Sequence, residues 1–258
     1  MTATKPRAGE SRRIVSWTLV IMISFTSCRT GSERETPRPV APVAPTSEAH
    51  RPFRVKLPGT EVSIEMLPVE KAGARYWLSS TEIPWEAYDV FLYEKEAPQV
   101  DAVSRPSTPY ISVDRGFGYR GYPAISMSLK GARAFCAWLS ALTGREFRIP
   151  ARDELRAAWT SHEEGWSAAN SGGKTQPVGS LEANAHGFHD LAGNVAEWCL
   201  DGERAGVAGG CFQDAPNALG PDAVRWATPR WNASDPQIPK STWWLADGPF
   251  VGFRILCE

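Results

Sequence analysis

The sequence predicts an α+β domain with little regular secondary structure. Most helical and strand patterns lie in the first two thirds of the chain, whereas the part after Trp166 is rich in Gly, Pro and Trp and has little sustained periodicity until the last strand. The chain combines 11 Trp with 22 Gly and 21 Pro, so large aromatic anchors occur beside many chain-bending residues. Helices early and irregular β structure late are typical of α+β domains rather than of alternating βαβ units.

Alternating apolar positions predict two strands, and a short apolar run predicts a third. Two of the three strands lie near the start of the domain and the last lies at the C-terminus. The apolar positions are Val62, Ile64 and Met66 in the first strand, Tyr76 to Leu78 in the second, and Val251, Phe253, Ile255 and Cys257 on one face of the last.

Apolar residues at helical spacing predict three helices. The first lies between Glu82 and Tyr93, where Pro84 suits an initial turn. The second begins near Ser128 and stops at Gly144. The third is short and lies around Leu155. The residues expected on the buried face of the second helix are Ala132, Phe135, Cys136 and Leu139.

Composition and charge exclude two classes of protein. The 28 Lys and Arg residues nearly balance the 29 Asp and Glu residues, which gives a formal net charge of −1. This balance argues against a nucleic-acid-binding protein that depends on a strong basic field. Because 42% of the residues are hydrophobic, the chain is also not disordered throughout.

The N-terminus has the pattern of an export signal. Basic residues precede an apolar run from Ile14 to Phe25, which is shorter than a stable membrane span requires. Residues 1–28 end in Cys28 and resemble a bacterial lipobox, whose cysteine becomes the acylated first residue, although Phe25 stands where Leu is usual. We expect an exported protein held in the cell envelope by a lipid on a bacterial membrane. Plain secretion and an uncleaved anchor are the alternatives.

A tether and one domain follow the signal. Residues 29–52 contain several prolines and no large apolar residue, so they cannot bury enough surface to offset the entropy cost of ordering. We expect them to form an extended linker. Residues 53–258 are long enough for one domain with a sizeable core.

Four cysteines remain in the mature domain if Cys28 is lipidated. An even number in an oxidising compartment suggests two disulfides, with three possible pairings. A buried thiol or a free reactive thiol is the alternative at each position. The four residues are Cys136, Cys199, Cys211 and Cys257.

Several ordered motifs resemble the formylglycine-generating enzyme, or sulfatase-modifying factor, family. The run PVGSLEANAHGFHDLAGNVAEW at 177–198 is similar to the family signature. YWLSSTEIPWEAYDVFL at 76–92 is similar to its first strand and helix, and 122–159 to its central helices. Gly209-Gly210 and Gly252-Phe253-Arg254 match two further landmarks. The resemblance covers nearly all of the chain after the tether.

The resemblance implies a variant of the C-type lectin-like fold with little regular secondary structure. In lectin-like folds the first long helix is commonly cross-linked to the last strand, which implies a Cys136–Cys257 disulfide. Here Cys257 lies two residues beyond its usual place, and the period of two along a strand keeps it on the same face. Cys199 and Cys211 are left as a possible bridge near the Gly-Gly turn.

This chain lacks cysteines at the positions of the family's copper ligands. The family's oxidase converts a sulfatase cysteine to formylglycine with Cu(I), which two cysteines hold just after the Gly-Gly pair. Counting forward from Gly210 places Asp214 and Leu219 at those positions, and counting back from Arg225 places Pro216 and Pro221 there. Neither alignment supplies a thiol, which argues against copper binding.

The resemblance also implies calcium. Asp190 and Glu197 match side-chain ligands of a structural calcium, and Gly193 and Val195 match residues that contribute backbone oxygens. Hard oxygen ligands of this kind suit Ca²⁺. The alternative is a turn capped by Asp190 with a surface ion pair at Glu197. A second family site would use Asn170 and the Ser171 carbonyl, but this loop is shorter than usual and lacks the expected Asp.

Two functions remain for the domain. The first is a non-catalytic binding or scaffold module that presents tryptophan-rich loops to a protein, peptide or glycan. The second is a formylglycine-generating oxidase with a displaced thiol pair, Cys199 and Cys211. Copper binding and the redox state of these two cysteines discriminate between them. The loop tryptophans are Trp226, Trp231, Trp243 and Trp244.

Overall fold

A computed structural model describes residues 50–93, 112, 114–161 and 163–258. The predicted signal peptide, with Cys28, and residues 29–49 of the predicted tether lie outside the described residues. No helix in the described ranges is long and apolar enough to cross a membrane.

Eleven short strands and three α-helices make up the described fold. The helices are α1 (Trp85–Tyr93), α2 (Leu129–Thr143) and α3 (Arg152–Arg156). The strands are β1 (Phe53–Lys56), β2 (Ser63–Lys71), β3 (Ala74–Ser79), β4 (Phe147–Arg148), β5 (Gly165–Trp166), β6 (Ala192–Gly193), β7 (Ala196–Asp201), β8 (Arg204–Gly209), β9 (Gly220–Trp226), β10 (Val251–Gly252) and β11 (Leu256–Cys257). This mixture of helices and strands confirms the predicted class in its coarse form.

A five-stranded sheet joins the two ends of the domain in the order β1-β2-β3-β11-β4. Strands β2 and β3 form a hairpin whose two turn residues, Ala72 and Gly73, have φ of 50° and 84°. Positive φ at both positions is the geometry that joins two strands in a tight hairpin. The last strand lies between β3 and β4, so that Leu256 is opposite both Leu78 and Arg148. The sheet is therefore complete only when the C-terminus has docked.

A four-stranded sheet with the order β10-β7-β8-β9 occupies the part that lacked periodicity in the sequence. The first four residues of β7 and the last four of β8 are buried without alternation. A strand covered on both faces has no polar face, so the pattern that predicts strands is missing there.

The helices follow the sequence predictions closely. Helix α2 has Ser128 as its N-cap, with Oγ accepting a hydrogen bond from the Gly131 N–H at 3.2 Å. It ends at Gly144, which adopts φ 71°. Such a left-handed residue closes a helix at little cost only when it is glycine. The buried face is the predicted one, Ala132, Phe135, Cys136 and Leu139 with Gly131.

The predicted last strand is divided between the two sheets. Val251 belongs to β10, which runs parallel to β7, whereas Cys257 belongs to β11. Between them the chain crosses from one sheet to the other, and the Phe253 and Ile255 carbonyls accept hydrogen bonds from the N–H groups of Ile83 and Ser79. All four residues of the predicted face are buried. The side-chain alternation was correct, but the prediction of one continuous strand was wrong.

The core consists of two hydrophobic clusters. In the larger one, rings of α1, α2 and the crossing segment pack together, with centroid distances of 5.7 Å for Tyr88–Phe135 and 5.5 Å for Phe135–Phe253. The smaller cluster includes Leu191, Cys199 and Leu256. The end of the predicted tether also makes contacts, because the Trp77 indole donates a hydrogen bond to the Arg51 carbonyl at 2.8 Å.

An ion pair anchors α3 to the five-stranded sheet. Glu154 accepts two hydrogen bonds from the Arg148 guanidinium, at 2.7 and 2.8 Å, and one from the Ala151 N–H at 2.7 Å. Burial acts to raise the pKa of Glu154, but these hydrogen bonds outweigh burial and hold the pKa below its usual value of 4.5. The carboxylate is therefore the form that stabilises the fold.

We predict that Glu154→Gln lowers the free energy of unfolding by about 1.5 kcal/mol at pH 7, because it removes a charged hydrogen-bond acceptor. A lowered pKa stabilises the folded state above the unfolded value of 4.5, and this stabilisation is lost as the pH falls through the folded pKa. Urea unfolding at a series of pH values below 7 should therefore show the two proteins converging in acid.

The control for this prediction is Glu70→Gln. Glu70 pairs with Arg75, and both side chains are more than half exposed, so this substitution should change stability by less than about 0.5 kcal/mol. A Glu154→Gln effect that stays constant with pH would contradict the assignment.

Candidate functional site

A buried ion pair lies where the C-terminal segment crosses between the sheets. Arg254 and Glu197 are 0% and 1% exposed. The guanidinium donates to both carboxylate oxygens of Glu197, from Nε at 3.1 and 3.0 Å and from Nη2 at 2.8 Å. Its remaining donors reach the carbonyls of Ser79 at 2.6 Å and His189 at 2.7 Å. One side chain thus fastens β3, β7 and the loop before β6 together.

Two further carboxyl groups accompany this ion pair. Glu82 and Asp190 are 0% and 4% exposed. Asp190 accepts from the Gly179 N–H at 2.6 Å through Oδ2. Its Oδ1 and both oxygens of Glu82 receive no hydrogen bond from a donor group of the described residues. Two ionised carboxylates in one buried cluster repel each other, and this raises the pKa of Glu82 and favours its protonated form.

The charge of this cluster is not balanced by Arg254 alone. Three carboxyl groups face one guanidinium, which would leave an excess of two negative charges if every group were ionised. Burial raises the pKa of Glu82 well above its usual range, and the carboxylates of Asp190 and Glu197 raise it further. Burial also raises the pKa of Asp190. Bound protons or a bound cation must offset the excess.

The predicted calcium ligands occupy this cluster and the turn beside it. Asp190 adopts φ 54° and contributes the free Oδ1. Gly193 pairs with Trp166, and a Cβ at Gly193 would lie 2.1 Å from the Trp166 carbonyl oxygen, so the close approach of β5 and β6 explains this glycine. Val195 is buried in the larger core cluster. Glu197 is not the surface residue of the alternative prediction, because it is buried against Arg254.

The donor set is partly suited to calcium. Carboxylate and carbonyl oxygens are the hard ligands that Ca²⁺ takes. Among the described residues, however, no three His, Cys, Asp or Glu side chains are grouped so that they could hold a metal ion. Backbone oxygens would therefore have to supplement Asp190, and both oxygens of Glu197 already accept hydrogen bonds from Arg254.

A second ion pair fills the region of the missing copper ligands. Asp214 accepts a hydrogen bond from the Arg225 guanidinium at 2.6 Å and from the Cys211 N–H at 2.8 Å. The same Arg225 nitrogen lies 3.1 Å from the Cys211 sulfur. Arg225 also packs over the Phe250 ring, 4.6 Å from its centroid. The carboxylate of Asp214, which is at the first copper position when counting forward from Gly210, is thus paired with a protein cation.

All four described cysteines are buried, and none is bonded to another cysteine in the structure. Cys136 and Cys257 belong to the same core cluster, and their pairing stays a prediction. Cys199 lies opposite Gly206, whereas the Phe212 N–H bonds to the Asn194 carbonyl, so Cys211 lies about five residues further along β7. At about 3.3 Å per residue, this separation far exceeds the roughly 7 Å limit between Cα atoms in a disulfide. The register is incompatible with a Cys199–Cys211 bridge.

The predicted tryptophan surface is smaller than expected. Trp243 and Trp244 are 6% and 5% exposed, so the expectation that they are displayed on loops was wrong. They belong to the larger hydrophobic cluster, which composition alone does not reveal. Trp226 and Trp231 are half-buried. Trp231 contacts Trp198 and Phe250, with centroid distances of 5.7 and 5.4 Å.

The sequence analysis missed Glu82, Arg225 and the role of Arg254. Glu82 lies in a helical pattern where a charged residue is usually taken as exposed. Arg254 was noted only as part of a landmark motif. A usable signal for Arg254 was the presence of a charged residue inside an otherwise apolar segment, whereas Glu82 follows three polar residues, 79–81, and gave no such signal.

Removing one partner of the buried ion pair should strongly lower the free energy of unfolding. We predict that Arg254→Met lowers the free energy of unfolding by about 3–5 kcal/mol, because it leaves Glu197 charged, buried and unpaired. Chemical denaturation measures this loss. Arg54→Met, which breaks the surface pair with Glu65, is the matched control and should cost less than about 1 kcal/mol. Equal losses in the two variants would refute the role of Arg254.

Comparison with known proteins agrees with this architecture. A segment of 106 residues is 28% identical to the serine/threonine-protein kinase pkn1 of Chlamydia caviae, covering 33% of this chain and 14% of the kinase. The chain therefore spans about one seventh of that protein.

Three solved structures share the fold. Treponema denticola variable protein 1 matches 80% of this chain and 98% of its own, with 16% identity and a TM-score of 0.56. PvdO from Pseudomonas aeruginosa matches 80% and 91%, with 18% identity and a TM-score of 0.51. CarF matches 72% and 87%, with 15% identity and a TM-score of 0.51. Residues 67–237 match the Sulfatase-modifying factor enzyme 1-like domain, and the chain belongs to this family.

Proposed function

We propose that this chain is a non-catalytic binding module built on the sulfatase-modifying factor fold. The observation that carries the proposal is the Asp214–Arg225 ion pair at the first copper-ligand position. A carboxylate bonded to a guanidinium is a poor ligand for Cu(I), which prefers soft thiolates. Leu219, at the second position, has no side-chain atom that could bind a metal ion. The Leu219 side chain packs closely against Gly210, where an added Cβ would lie 2.6 Å from it.

The alternative oxidase has less support. Its displaced thiol pair would need Cys199 and Cys211 to converge on one ion, but the strand register separates them. Burial raises the pKa of Cys199 to about 12 and also raises the pKa of Cys211, so both are neutral thiols at neutral pH. A neutral thiol is neither a good nucleophile nor a ready metal ligand.

The proposed binding surface lies beside the Asp214–Arg225 pair. Arg225 packs on Phe250, Phe250 packs on Trp231, and Trp231 is half-buried, so a charged pair and an aromatic residue are continuous. Trp226 lies nearby in sequence beneath the Arg204 guanidinium, 4.0 Å from the ring centroid. Half-exposed aromatic residues beside charged groups are typical of recognition surfaces. A protein, peptide or glycan is the proposed partner.

We also propose that the protein is exported and is anchored by a lipid attached to Cys28. The support is the sequence pattern of 1–28 and the proline-rich composition of 29–52, which would hold the domain away from a bacterial envelope membrane. Radiolabelled palmitate incorporation that is lost in Cys28→Ser tests this part.

Calcium is proposed as a structural ion at the first family site. The free Oδ1 of Asp190 and the excess negative charge of its cluster support it. Asp190 and the backbone oxygens of Gly193 and Val195 would hold the ion, with Glu197 shared with Arg254.

We predict no copper chemistry at the Asp214 position. The purified, folded domain should retain no stoichiometric Cu(I) after desalting and should form no aldehyde on a sulfatase-type cysteine peptide under air, as judged by mass spectrometry. A matched variant, Asp214→Cys with Leu219→Cys, restores the two soft ligands and should retain copper. One tightly held copper in the natural chain, lost in Cys211→Ser, would contradict the proposal.

We predict that millimolar calcium raises the melting temperature relative to EDTA, because an ion bound only by the folded state stabilises it. Asp190→Asn should abolish this shift, since it removes the charged side-chain ligand, and Asp235→Asn, remote in sequence, should retain it. Equal melting temperatures with calcium and with EDTA in the natural chain would contradict calcium binding by the folded domain.

A further inference from the structure

The loop from Ser167 to Gln176 lies where the family resemblance places a second calcium. We infer that the side-chain amide of Gln176 takes the place of that ion in this chain. The resemblance assigns the Asn170 side chain and the Ser171 carbonyl to the metal, and the structure shows both groups engaged with protein donors and acceptors instead.

The side-chain oxygen of Asn170 is not free for a cation. Its Oδ1 accepts hydrogen bonds from the Ser167 N–H at 2.7 Å and from the Ser167 hydroxyl at 3.1 Å. Its Nδ2 donates to the Gly165 carbonyl at 3.1 Å. The side chain therefore closes its own turn by bonding back to Ser167, three residues earlier.

The Ser171 carbonyl is bound by an amide donor. Gln176 Nε2 donates to this oxygen at 2.7 Å. The positive end of an N–H dipole satisfies the same oxygen that a cation would coordinate. Ser171 itself is buried, and its hydroxyl donates to the Phe212 carbonyl at 2.9 Å. The backbone at Ser171 is consequently fixed without a metal.

The charge of the loop opposes calcium as well. Residues 167–176, SAANSGGKTQ, contain no Asp or Glu and carry one cation, Lys174. Calcium affinity depends on the number of negatively charged ligands. A loop with no carboxylate and a lysine offers Ca²⁺ only neutral oxygens, and those of Asn170 and Ser171 are already hydrogen-bonded.

Gln176 also links this loop to the turn of the first site. Its N–H donates to Asn194 Oδ1 at 2.9 Å, and Asn194 Nδ2 donates to its carbonyl at 3.2 Å. Asn194 is fully buried and adopts φ 49°. Its carbonyl accepts from the Phe212 N–H at 2.9 Å. Hydrogen bonds between uncharged groups thus join the segments that contain Gln176, Asn194 and Phe212, which a metal ion would otherwise cross-link.

Hydrogen–deuterium exchange of the peptide covering 168–176 tests this inference on the full domain. In the natural chain we expect exchange of this peptide to be the same with calcium and with EDTA. Gln176→Met keeps the side-chain length but removes the amide, and should speed exchange roughly tenfold. Calcium should not restore the protection. Repeating the comparison in Asp190→Asn separates any effect of calcium at the first site.

A second variant keeps the test decisive if Gln176→Met folds poorly. Gln176→Glu retains the shape but loses the N–H donors, and in EDTA it should also exchange faster than the natural chain. The inference is overturned if calcium slows exchange of this peptide in the Asp190→Asn background. It is also overturned if Gln176→Glu in EDTA is as protected as the natural chain.

Discussion

The ion pair between Arg254 and Glu197 is the interaction on which the architecture depends. The chain must cross from the four-stranded to the five-stranded sheet within three residues, between β10 and β11. At this crossing Arg254 is fully buried and its guanidinium bonds to Glu197, Ser79 and His189. A buried charge is tolerated only when its hydrogen bonds are satisfied, so these contacts select one position for each connected segment. The C-terminal strand β11 then docks between β3 and β4 and completes the five-stranded sheet.

The same principle applies at two positions where the family resemblance implies a metal ion. Where the resemblance implies copper, Asp214 is paired with Arg225, and where it implies a second calcium, the Gln176 amide binds the Ser171 carbonyl. In both places a protein donor takes the role of a cation. The hydrogen bonds of Arg225 and Gln176 cross-link the chain at these two positions. The Asp214 position offers no soft ligand for redox chemistry. This arrangement supports the proposal of a binding module that uses the adjoining Trp231 surface.

Local rules were sufficient for part of the fold. Ser128 and Gly144 mark the ends of α2 because capping depends on a few neighbouring residues. The division of the last strand was not predictable, because alternation is unchanged when Val251 and Cys257 pair with different sheets. Burial of Trp243 and Trp244 likewise depends on partners distant in sequence.

The candidate site shows the same limit. Motif resemblance brought Asp190 and Glu197 to attention, but it did not reveal that Glu197 binds Arg254 or that Glu82 joins the cluster. The contacts of Arg254 connect residues separated by up to 175 positions, the distance in sequence between Arg254 and Ser79. Spacing in the sequence carries no information about such pairs unless the fold is already known.

The central claim is that an ion pair has replaced the copper site. Crystals of the folded domain soaked with Cu(I) under reducing conditions, with anomalous diffraction recorded on both sides of the copper absorption edge, test it most directly. The account predicts no copper peak near Asp214 and an Arg225–Asp214 distance close to 2.6 Å. A copper peak bonded to the Cys211 sulfur, with Arg225 displaced from Asp214, would contradict it.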